Sequence, residues 1–305
     1  PRARTGRRAL IALLLLGLLP AFLRLWPIEH SAPHPEFVPD THLVRNALHM
    51  AADRDLIPPS GKYSTYPYLL SYVLVPAYAA DYLAGKSQGL WADGAGYGDY
   101  LRANPWRAHR LARVLFALIA SLTPLFVYLG CRAAGLRQGA WVAAWLAATS
   151  LLLVHLSLHE RPWAPMMAPL AACLWGAIVH MRTGSLRSLL GSGLAAAIAG
   201  SMHQGGLFFL AITGMAWALA PSSAVGSFLR RVRGGFLAVL LFIVVAGAVG
   251  YPYLLVHGDA LQVAGDTHLP PGLVSFSLGG QRLVFQFRPA SFPELAGAFV
   301  GYDPA

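Results

Sequence analysis

Residues 230–256 read RRVRGGFLAVLLFIVVAGAVGYPYLLV, three arginines followed by an apolar run that carries no charge from 234 to 256. As helix, such a run crosses a hydrocarbon core of about 30 Å, and the arginines fall where the helix meets the headgroups. Comparable runs lie near 9–26, 109–130, 139–157, 163–181, 188–203 and 205–220. The expected fold class is an all-α polytopic membrane protein with about seven transmembrane helices. Composition agrees: of 305 residues, 56% are hydrophobic and 12% charged, more apolar than one soluble core needs.

Orientation follows from the charges. An eighth apolar stretch, Tyr66 to Leu83, is broken by Pro67, Pro76 and Asp81 and is rich in tyrosine, which suits the headgroup layer. If it does not span, the N-terminus, Cys131–Gln138, Arg182–Arg187 and Pro221–Gly234 share one side and carry eleven arginines with no carboxylate. All thirteen Asp and Glu residues then lie off that side, as expected when cytoplasmic loops collect arginine. The expectation is a multi-pass protein of the bacterial cytoplasmic (inner) membrane, N-terminus inside and C-terminus outside. Its transmembrane module covers 1–256 and an outer tail covers 257–305. The outer face also holds a long first loop, 27–108, and a turn around His155–Pro162. The leucine-rich run after Arg2, Arg4, Arg7 and Arg8 lacks a small-residue cleavage site before Arg24, so it reads as a retained first helix.

Several function classes are disfavoured. The net charge of +10 sits in short clusters between apolar runs, which marks topology and not a nucleic-acid face. Cys131 and Cys173 lie in or beside apolar runs and make neither a disulfide framework nor a CxxC metal site. A transporter would place ionisable groups at mid-membrane depth, where this chain has almost none. His155, His159 and His203 do not form opposed pairs at matching depth, which argues against a haem.

Chemistry is therefore sought on the outer face. Thr41 to Leu56 reads as a helix, with Leu43, Ala47, Leu48 and Ala51 at helical spacing and Asp40 or Thr41 as N-cap. Asp40, at the lipid surface, is the leading candidate for a base; capping is its competing role. Glu160, in His159-Glu160-Arg161-Pro162, is the second acidic candidate, with an interfacial Glu–Arg anchor as the competing role. Arg45, Lys62, Arg102, Arg107 and Arg161 are the outer-side cations. The tail offers Pro270-Pro271-Gly272 as a turn and an alternating, strand-like Gln281–Phe287.

The order of these elements resembles the GT-C membrane glycosyltransferases, the superfamily of protein O-mannosyltransferases and lipid A aminoarabinose transferases. The matching features are one N-terminal span, an acidic residue just beyond it, and the helix Asp40-Thr41-His42-Leu43-Val44-Arg45-Asn46-Ala47-Leu48-His49-Met50. Tyr63-Ser64-Thr65-Tyr66-Pro67-Tyr68-Leu69-Leu70 then leads a juxtamembrane helix closing at Leu83-Ala84-Gly85. Arg110-Leu111-Ala112-Arg113 to Tyr128-Leu129-Gly130 resembles the family's second span. The usual Asp-Glu pair is Asp40-Thr41 here, and the family's lysine before its Pro-Pro-Leu stretch is replaced by Thr65 and Tyr66.

The resemblance implies a GT-C-like module with juxtamembrane helices in the first outer loop. It also implies transfer of a sugar from a polyprenyl-phosphate carrier to an acceptor, with inversion. Asp40 and Glu160 would be catalytic, Arg45, Lys62, Arg107 and Arg161 would hold the donor phosphate, and His42, Tyr63, Tyr66 and His159 would contact substrate. It leaves room for a divalent cation, Mg or Mn, and calls for no other cofactor. The expected partners are membrane lipids, the polyprenyl-linked sugar and further membrane subunits. A non-catalytic scaffold subunit on the same module is the alternative.

Overall fold

The computed structural model describes residues 16–31, 42–58, 67–221, 227–256, 261–262, 273–278 and 281–286. Asp40, Lys62, Tyr63 and Tyr66, and most of the tail, lie outside the described residues.

The first described element is helix α1, residues 16–25, which tightens into a 3-10 turn over Trp26–Ser31. Helix α2 (His42–Asp53) buries Leu43, Val44, Asn46, Ala47 and Met50 on one face. Arg54 follows in the left-handed region (φ 55) and ends it. Helix α3 (Leu69–Ser87) carries Pro76 inside it, and α4 (Gly94–Ala103) is capped by Asp93, which accepts from the Gly96 N–H at 2.8 Å. The two loop helices expected at 41–56 and 66–83 thus appear as α2 and α3, shifted by a few residues.

Helices α5 (Pro105–Ala120) and α6 (Thr123–Ala133) follow almost end to end, interrupted at Ser121-Leu122 just before Pro124, whose ring removes a backbone donor. Next come α7 (Gly139–Thr149), α8 (Leu151–Leu156), α9 (Trp163–Thr183) and α10 (Leu186–Met202). A 3-10 turn, Gln204–Phe209, leads into α11 (Leu210–Leu219). Helix α12 (Phe228–Val245) ends in a π turn, Ala246–Gly250, before the short α13 (Tyr253–Val256).

Three helices are long and apolar enough to cross a membrane: Pro105–Ala133, Trp163–Thr183 and Phe228–Gly250, with mean hydropathies of 2.2, 1.4 and 2.3. Leu16–Ile28, Gly139–Thr149, Leu186–Met202 and Gln204–Leu219 are apolar but shorter. The described residues therefore carry three full-length spans where the hydropathy pattern predicts about seven. Breaks account for part of the difference. Ser150 leaves helical geometry (ψ 115) and caps α8, dividing the run at 139–157, while His203 turns extended and separates α10 from α11.

Small residues let the helices approach closely. A Cβ on Gly176 of α9 would sit 2.9 Å from the Ser188 carbonyl of α10, and one on Gly193 would sit 3.0 Å from the Ala238 carbonyl of α12. Ser192 donates to the Cys173 carbonyl at 3.0 Å and lies 2.8 Å from the Thr213 hydroxyl, joining α9, α10 and α11. Large apolar side chains face outward instead, Leu151 at 86% and Phe228 at 80% exposure, as expected of a surface solvated by lipid.

The fold is not purely helical. Strands β1 (Leu261–Gln262), β2 (Leu273–Leu278) and β3 (Gln281–Gln286) form an antiparallel sheet in that order, with Leu278 opposite Gln281. The strand-like stretch expected at 281–287 appears as β3, Gln281–Gln286, beside a body that is helical as expected. The alternation of residues 281–286 and the two glycines between β2 and β3 suit a hairpin.

Candidate functional site

Helix α5 starts at a corner. Asn104 closes α4 and opens α5, and Pro105 fills the first helical position, where its missing N–H costs nothing. This start projects Trp106, Arg107 and Arg110 into a cleft of about 880 Å³, whose other walls include Asp81 of α3 and Tyr100 of α4.

Arg107 is held on three sides. Its Nε donates to Asp81 Oδ2 at 3.0 Å and its terminal nitrogen to Asp81 Oδ1 at 2.7 Å, a bidentate pair. Its guanidinium carbon lies 5.5 Å from the rings of Trp91 and Tyr100. Trp91 is fixed by donating to the Tyr82 carbonyl at 2.8 Å, and it fits because residue 85 is glycine: a Cβ there would overlap the indole. Tyr97 also donates to Asp81 Oδ2, at 3.0 Å. The Arg107 hydrogen bonds hold the Asp81 carboxyl below its ordinary range, against burial, which pushes it up. Burial and the Asp81 charge push the Tyr97 hydroxyl well up.

A second, deeper cluster lies two turns along α5. Glu160 is 2% exposed, and its Oε1 accepts from Arg113 Nε at 2.8 Å and lies 3.1 Å from His109 Nδ1. The Arg113 guanidinium lies 4.6 Å from the Trp106 ring. Trp106 therefore belongs to both groups, lining the cleft and covering the buried ion pair.

The structure thus joins two of the candidates to residues that were not themselves site candidates: Arg107 to Asp81, and Glu160 to His109 and Arg113. It does not bring Arg107 and Glu160 into direct contact. Arg45 is exposed on α2, His42 and Arg161 are partly exposed, and none of the three lines the cleft. His159 meets His155 edge to face at 5.0 Å, and His203 lies against Trp163 in a tilted contact at 4.3 Å. Asn46 is fully buried, and its amide oxygen and nitrogen have no hydrogen-bond partner among the described residues. Arg107, Arg110 and Arg113 at i, i+3 and i+6 on a helix entering an apolar run were the available sequence signal, as was Asp81, a carboxylate in an apolar stretch.

Among the described residues no group of three or more His, Cys, Asp or Glu side chains is placed to hold a metal ion. Asp81 is engaged by Arg107 and Tyr97, and Glu160 by Arg113 and His109, so these carboxylates do not make a donor set for Mg or Mn. Comparison with protein-family models finds no match to the chain, and neither does comparison with curated proteins.

Proposed function

We propose that the chain is a glycosyltransferase of the GT-C type, with about seven membrane-spanning helices and its N-terminus on the cytoplasmic side of a bacterial inner membrane. It moves a sugar from a polyprenyl-phosphate carrier to an acceptor at the outer face. The observation that carries this reading is the cleft at the start of α5, which Arg107 and Arg110 line together with Trp106 and Tyr100. Cations beside aromatic rings suit a phosphate ester bonded to a sugar: the guanidinium groups take the phosphate and the rings take the sugar's apolar face. The order of α1, α2 and α3, ahead of the long span α5–α6, supports the same module.

In the reaction the acceptor hydroxyl attacks the anomeric carbon and its proton passes to Asp40. The anomeric C–O bond to phosphate breaks, the sugar's configuration inverts, and the bonding pair leaves with the polyprenyl phosphate. Arg110 stabilises the charge that develops on the leaving oxygen, and Arg107, oriented by Asp81, supports it. Glu160 acts through Arg113 and Trp106 and is a positioning residue. A scaffold role within a larger membrane complex is the second reading, favoured by the full engagement of Glu160 by its cationic neighbours.

The test is transfer from polyprenyl-phosphate sugars by the purified chain in liposomes. Asp40→Asn is expected to lower the rate by about 10²-fold or more, and Arg110→Gln by about 10²-fold. Full activity in Asp40→Asn removes it as base. No transfer from any donor, together with copurification of another membrane subunit, favours the scaffold.

A further inference from the structure

The end of the bundle away from the cleft has charges of one sign. Helices α5 and α6 make one span of 29 residues, about 40 Å of helix, so the cleft and Arg132 lie at its opposite ends. Arg182 donates to the Ala133 carbonyl, which brings the close of α9 beside the close of α6. Leu186 and Leu189 of α10 pack over Gly234 of α12. The Trp217 indole of α11 donates to the Arg231 carbonyl at 2.8 Å. The ends of five helices therefore converge here, and the segments at 132–137, 182–187 and 230–233 carry seven arginines. Between Asp99 and Asp259 the sequence has one carboxylate, Glu160, which lies at the other end of α9 and is paired there.

Arginine and apolar surface lie side by side within the first two turns of α12. Phe228 is 80% and Leu229 76% exposed, immediately before Arg230, Arg231 and Arg233, and Arg187 is exposed at the start of the neighbouring α10. An acidic protein segment would match the arginines and leave the large apolar side chains uncovered. Phosphates layered over acyl chains match both.

We propose that this end of the molecule is a binding surface for anionic phospholipids. Arg187, Arg230, Arg231 and Arg233 take the phosphate through their positive charge, while Phe228 and Leu229 lie among the acyl chains. The site is independent of the cleft and of any transfer reaction.

Trp217 reports on it. The whole chain is placed in phosphatidylcholine nanodiscs, and quenching of tryptophan fluorescence by brominated phosphatidylglycerol is compared with quenching by brominated phosphatidylcholine. The signal of a Trp217→Phe chain is subtracted. The expected result is a preference of about tenfold for the anionic lipid, falling to near unity in R230Q/R231Q/R233Q and retained in R230K/R231K/R233K. Equal quenching by the two lipids in the unaltered chain overturns the proposal, as does an undiminished preference in the glutamine variant. Loss of the preference in millimolar inorganic phosphate, at constant ionic strength, would show a site for free phosphate and overturn the lipid assignment. Binding of polyglutamate without a lipid preference would overturn it in favour of an acidic protein partner.

Discussion

Helix α5 carries two arginine–carboxylate pairs with the same chemistry in different surroundings. Arg107–Asp81, at the cleft rim, keeps side-chain exposures of 36% and 17%, whereas Arg113–Glu160 keeps 10% and 1%. At the rim, water screens both ions and each is replaceable at modest cost. In the interior, neither ion has solvent to fall back on, so the pair is held together by the penalty of separating it as much as by its own attraction. The rim pair therefore belongs to the cleft and its ligand, and the buried pair to the attachment of α5 beside the turn that precedes α9.

The largest expected effect is on the buried pair. Glu160→Ala leaves Arg113 buried without its carboxylate and should cost about 3–5 kcal/mol, read from equilibrium unfolding in detergent. Replacing both partners by methionine should recover most of that loss. A cost under about 1 kcal/mol for the single change would mean that the two pairs do not differ as their burial says. Asp81→Asn should cost about 1 kcal/mol in the same assay, with a larger effect on ligand affinity at the cleft than on unfolding.

The smallest effect is in pH dependence. Asp81 is held below the ordinary carboxylate value of 3.8 in the folded chain, so its folded pKa is lower than its unfolded one. Its contribution is complete above 3.8 and is lost as pH falls through the folded value. The stability difference between the native chain and Asp81→Asn should be flat from about pH 6 upward and shrink in acid. A difference that grows on acidification contradicts the pairing.

Much of the helical arrangement is legible in the sequence, because apolar runs and arginine clusters are local signals. The centres of α9 and α12 follow from them directly, and α2 follows from the spacing of Leu43, Ala47, Leu48 and Ala51. What hydropathy cannot show is where an apolar run stops being one helix. Ser150 and His203 interrupt theirs with backbone turns whose causes lie in capping, not in polarity. The site was half legible. Arg107 and Glu160 stand out as charges between apolar runs, but their partners lie 26 and 47 residues away. Those pairings depend on how α3, α5 and the approach to α9 pack, which no spacing rule encodes. Asp81 was visible only as an interruption of an apolar stretch, when its carboxylate is what aims Arg107.

The π turn at Ala246–Gly250 has a consequence for the order of assembly. Gly250 offers its carbonyl to the Tyr68 N–H at 3.0 Å, and the Tyr251 hydroxyl reaches the Gly200 carbonyl at 3.4 Å. A residue from the first quarter of the chain is thereby latched to one made after the last long helix. During synthesis the approach to α3 has no latch to close on until α12 has emerged, so it can be docked early but locked only after that helix is made.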